Sequence, residues 1–239
     1  MKNRTVSLLL ALFSLSTLFS QNQILNIGKL KLYSPVSTLV ELGYDSNPRK
    51  IRNWDQYYHN VYKNYSGNKI FEIIADSISS KNMIIGFTNP KVRFFYITQC
   101  NITSNLTLNG VELIFYNGEL ISISCQGKKE LSDALDLKYG TAKVEVTKED
   151  HTFTFINTGG SIVKTDETYI SVWNSNVANV ICKNTLKKWY DKEGIENFSH
   201  IFKLCDIPLV DEVELFEKGC KDRFINRMNE KKKESLSDF

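Results

Sequence analysis

Residues 111–140, VELIFYNGELISISCQGKKELSDALDLKYG, constrain the fold more than any other stretch of the chain. Two apolar runs flank Asn117-Gly118. A two-residue type I′ turn needs positive φ at both central positions, and Asn followed by Gly supplies it. The spacing predicts a hairpin of strands Val111–Tyr116 and Glu119–Cys125. Behind it, Leu131, Ala134 and Leu135 recur at helical spacing between Lys128 and Tyr139, and Gly140 suits the position just past a helix end. Each residue that makes this stretch legible has a structural reason, so it reads as scaffold that holds up a working surface elsewhere.

The flanking segments are rich in strand formers. Aromatic residues make up 12% of the chain, mostly Phe and Tyr, which favours strands. Strands are expected at Ile24–Tyr33, Ile70–Ile74, Val92–Thr98, Thr152–Ile156, Thr168–Trp173, Val177–Cys182 and Phe198–Leu204. Ser34-Pro35 reads as the start of a short helix that Gly43 closes. Trp54, Tyr57, Tyr58, Val61, Tyr62 and Tyr65 recur at spacings of three and four. That pattern fits a helix face, with a strand leading into a turn at Ser66-Gly67-Asn68 as the alternative. The last helix is expected to start at Asp211, with Glu214 completing a capping box and Val210 and Leu215 a hydrophobic staple. Val213, Phe216, Cys220, Phe224 and Met228 would dock it by one face.

These elements predict an α+β fold: mainly antiparallel sheet, a few short helices packed on one side, and a C-terminal helix. The expected organisation is a leader over 1–20, a single α+β domain over 21–230, and a charged flexible tail over 231–239. Faint similarity between LVELGY (39–44) and ALDLKYG (134–140) raises the alternative of two similar halves meeting near 140–150.

The N-terminus reads as an address. Lys2 and Arg4 precede an apolar run from Val6 to Phe13 and a Ser-rich segment, the layout of a secretory signal peptide with cleavage expected after Ser20. The run is shorter than the roughly 20 residues a membrane span needs. Export to the periplasm or the medium, with no integral span after leader removal, is the expectation. The Ser-Gln junction and the Asn/Lys/Ile-rich body behind it resemble small exported proteins of Bacteroidota. The helix-then-meander rhythm is similar to that of envelope modules of the β-lactamase-inhibitor-like fold, a resemblance that implies protein–protein binding.

The chemistry-bearing residues are sparse. Formal net charge is +3, and about +1 once Lys2 and Arg4 are removed, too balanced for nucleic-acid binding by counterion release. His59, His151 and His200 lie far apart, and no metal-ligand spacing is present, so no metal or cofactor site is predicted. Glycine-rich phosphate loops and the GxSxG elbow are also missing. The cysteines Cys100, Cys125, Cys182, Cys205 and Cys220 are odd in number; Cys100–Cys125 and Cys205–Cys220 are candidate bridges, and buried apolar thiols are the alternative. No catalytic residue is assigned. The expected role is a non-enzymatic binding module of the cell envelope whose partner is another envelope or extracellular protein. A hydrolase with a spatially assembled Cys/His or carboxylate site, and a carrier of an apolar ligand, are the alternatives.

Overall fold

The computed structural model describes residues 24–52, 67–74, 86–154, 160–175 and 177–237. The aromatic stretch 53–66 and the expected leader lie outside the described residues.

Eleven strands and three helices are described. Strands β1 (Asn26–Ile27) and β2 (Leu30–Lys31) form a small hairpin, because the expected strand Ile24–Tyr33 turns back at Gly28-Lys29. Helix α1 (Thr38–Glu41) and β3 (Arg49–Ile51) follow. Then come β4 (Ile70–Ile73), β5 (Val92–Asn101), β6 (Thr107–Tyr116), β7 (Glu119–Gln126) and helix α2 (Lys129–Tyr139). Strands β8 (Lys143–Thr154), β9 (Ser161–Trp173), β10 (Val180–Tyr190) and β11 (Glu196–Asp206) lead into the long helix α3 (Ile207–Ser237).

Nine strands make one sheet in the order β3-β4-β5-β6-β7-β11-β10-β9-β8. Strands β4–β7 and β8–β11 are two meanders of four, joined where β7 and β11 pair antiparallel. The hairpin between β6 and β7 is as expected: Asn117 has φ 52° and Gly118 φ 86°. Gly140, with φ 87°, follows α2.

The α+β expectation is corrected in two respects. The fold is mostly sheet, 50% strand against 22% helix, in a single mixed sheet where β3 runs parallel to β4. The helices also do not share one side. Successive strand residues point to opposite faces, and the cores divide accordingly. Phe115, Leu120 and Leu204 join a core with Leu39 of α1 and Leu131 and Leu135 of α2, whereas their neighbours Tyr116, Ile121 and Cys205 pack with Val210 and Val213 of α3. An extra residue at Ile121 shifts the β6–β7 register, so Leu120 and Ile123, three residues apart, both face the first core.

Helix α3 starts at Ile207, four residues before the expected cap. Asp206 ends β11, and its Oδ1 accepts the Leu209 N–H at 3.1 Å, the N-cap role assigned in sequence to Asp211. Pro208 sits in the first turn, where a missing N–H costs nothing. The helix is clamped to the second face over its first three turns. Tyr116 Oη donates to Glu212 Oε1 at 2.5 Å, and Glu217 accepts from Thr88 Oγ1 and the Asn89 N–H, both at 2.8 Å. Of the predicted docking stripe Val213 is buried, while Phe216 is exposed. Helix runs on through 231–237, where a charged tail was expected. Among the described residues no helix is long and apolar enough to cross a membrane.

Candidate functional site

Two features of the sheet are not explained by packing: a polar cleft at its centre and an open stretch at its outer end.

The cleft, about 680 Å3, forms where β7 stops at Gln126 while β11 runs on to Glu196. Its floor is a cross-strand row on the second face. Tyr96 of β5 pairs with Glu112 of β6 and Glu112 with Ser124 of β7; beyond the cleft the row continues to Lys203 of β11. Ser124 Oγ donates to Glu112 Oε2 at 3.1 Å. Burial pushes the Glu112 carboxyl above the ordinary carboxylate range, opposed by the Ser124 hydroxyl and the Lys203 charge. Gly110 keeps the cleft open. Its φ is +58°, and a Cβ there would come within 3.0 Å of Tyr96 Oη. Gln99, Asn109 and Gln126 bring amide side chains to the walls, and Ile201 stands on the same face as the floor, 52% exposed.

Cys125 and His200 are also among the residues that line this cleft. Their tuning is opposite to that of a thiolate–imidazolium pair. Burial raises the Cys125 thiol to about 12, and burial lowers His200. At neutral pH both are uncharged, so the thiolate that acts as nucleophile is not supplied. Cys100, Cys182 and Cys205 are likewise buried with thiols pushed up by burial. All five cysteines are free thiols, so neither candidate bridge is formed; Cys100 and Cys125 lie on β5 and β7, with β6 between them. Cys220 is partly exposed on α3 and accepts from Arg223 Nη2 at 3.0 Å.

His151 lies on β8 far from the cleft, with Nε2 3.4 Å from Asp166 Oδ2 at the surface. His59 falls outside the described residues. Among the described residues no three His, Cys, Asp or Glu side chains gather as metal ligands would.

The open stretch is the outer part of β8–β11. Strand β8 forms the edge of the sheet and is exposed at ten of its twelve positions. Val144 and Val146 point to the same face, 54% and 50% exposed, with Tyr169 of β9 opposite Val146. Sequence reasoning caught only the end of this strand, Thr152 onward. KVEVTKED carries the period-2 alternation of a strand, and its charges had masked that signal.

Comparison with known protein families, with curated proteins and with solved structures finds no match for this chain.

Proposed function

We propose that this chain is a non-enzymatic binding module of the cell envelope, exported through its leader, that takes another protein along strand β8. The observation that carries the reading is the twelve-residue edge strand, exposed along its length, with Val144 and Val146 side by side on one face. An edge strand presents unpaired N–H and C=O groups, and an added strand supplies their partners while alternate side chains set specificity. Charged residues on β8 (Lys143, Glu145, Lys148, Glu149) oppose indiscriminate pairing of the edge with itself. The uncharged state of Cys125 and His200 weighs against hydrolysis by that pair.

The test places a photo-crosslinking residue at Val146 or at Ile225 on α3 in cells exporting the protein. One partner should be captured from position 146 and not from 225. Val146→Pro, which adds a ring and removes a backbone N–H at the edge, should abolish capture by a crosslinker at Val144. Equal capture at both sites, or capture that survives Val146→Pro, would overturn the reading.

A further inference from the structure

We propose that the central cleft is a binding site for an oligosaccharide that carries a carboxylate, a ligand class beyond the protein partner of β8. Three independent observations meet there. The first is a set of polar side chains whose hydrogen-bonding groups are open to a ligand. Among the described residues the side chains of Gln99, Asn109, Gln126 and Ser199 make no hydrogen bond, yet all four face one cleft. Each amide offers two donors and an acceptor, the mixed capacity that ring hydroxyls require. The second is Ile201, an apolar side chain 52% exposed on the same face as the floor, against which the flat C–H face of a sugar ring can pack.

The third is a charge arrangement that folding alone disfavours. Lys203 and Lys183 are directly paired across β11 and β10, and they continue the Tyr96–Glu112–Ser124 row that floors the cleft. Like charges placed opposite each other on a sheet are destabilising. Neither amine forms an ion pair among the described residues. Lys187, on the same face of β10, sits over Trp189 at 5.5 Å from the ring centre and also has no ion pair. A ligand carboxylate reaching over Ser124 from the cleft would meet the Lys203–Lys183 pair and relieve its repulsion. Glu112 on the floor accepts from Ser124 and is a hydrogen-bonding partner for hydroxyls; the Lys203 charge acts on it without forming an ion pair.

Isothermal titration and amide-resolved NMR of the purified protein with tetragalacturonate, tetramannuronate and the methyl ester of each test this. The ester keeps every hydroxyl and loses only the charge. At least one acid should bind, with shifts at Asn109, Gly110 and Gln126, and its ester should bind about tenfold more weakly, as the loss of one charge-assisted contact implies. Lys203→Met or Lys183→Met should bring the acid down to the ester's affinity, while Asn109→Ala and Ile201→Ala should weaken acid and ester alike. The proposal is overturned by no binding of either acid at millimolar concentration. It is equally overturned by an ester that matches its acid, or by shifts confined to β8 and β9.

Discussion

The two meanders have the same strand count and order but opposite environments. In β4–β7 the apolar side chains of both faces are packed into cores. In β8–β11 only the end nearest α2 is buried, through Trp173, Val180, Cys182, Phe202 and Leu204. The rest is held by the backbone ladder and by cross-strand pairs. Lys148 meets Glu167 at 2.7 Å, Thr165 Oγ1 donates to Asp150 at 2.7 Å, and Lys164 Nζ donates to the Gly194 carbonyl at 2.6 Å. Isolated hairpins are marginal in water. The open meander therefore stands because its inner end is continuous with the packed one. The same sheet thus gives a rigid base and a surface free to bind.

The sharpest way to break this contrast is a pair of truncations. Phe115 is buried and meets Phe95 edge-on, with ring centres 5.5 Å apart. Phe115→Ala should cost about 3–5 kcal/mol in urea unfolding, and Val146→Ala less than about 0.5 kcal/mol. Similar losses from both would mean that β8 is packed after all.

The junction between β11 and α3 comes next. Asp206 both caps the helix and accepts the Tyr33 hydroxyl at 2.7 Å, so Asp206→Ala should cost about 2 kcal/mol. Burial, then the bond to Asp206, raises the Tyr33 hydroxyl to about 12. Its folded-state value lies above the ordinary value of 10.0, so its stabilisation is complete below pH 10 and is lost as pH rises through about 12. The Tm gap between the wild type and Tyr33→Phe should be constant from neutral pH to 10 and close above it.

How much of this was legible follows the same division. Asn117-Gly118, Gly140 and the apolar runs of β5–β7 were readable because local turn chemistry and burial agree there. Strand β8 was largely missed, because its alternation rests on Val144 and Val146 alone amid charged residues. The start of α3 was misplaced because Asp211 and Glu214 imitate a capping box, whereas the actual cap, Asp206, is recognisable only once β11 is seen to end on it. The cleft was invisible. Glu112, Ser124 and Lys203 come from three strands and meet only through register.

Smaller effects sharpen the picture. Gly118→Val forces a β-branched residue to φ 86° and should cost about 1–2 kcal/mol, read as a lower urea midpoint with unchanged slope. Thiol labelling should modify Cys220 first under native conditions, with Cys100, Cys125, Cys182 and Cys205 reacting only on unfolding. Fast labelling of any of the four would place an opening in the packed half.

Amide hydrogen exchange along 143–154 in the isolated protein tests the central contrast most directly. On an antiparallel edge, alternate N–H groups bond inward and the rest face water. The account predicts alternating protection along β8 beside near-uniform protection in β6 and β7. Uniform protection of β8, or none, would contradict an open edge on a formed strand.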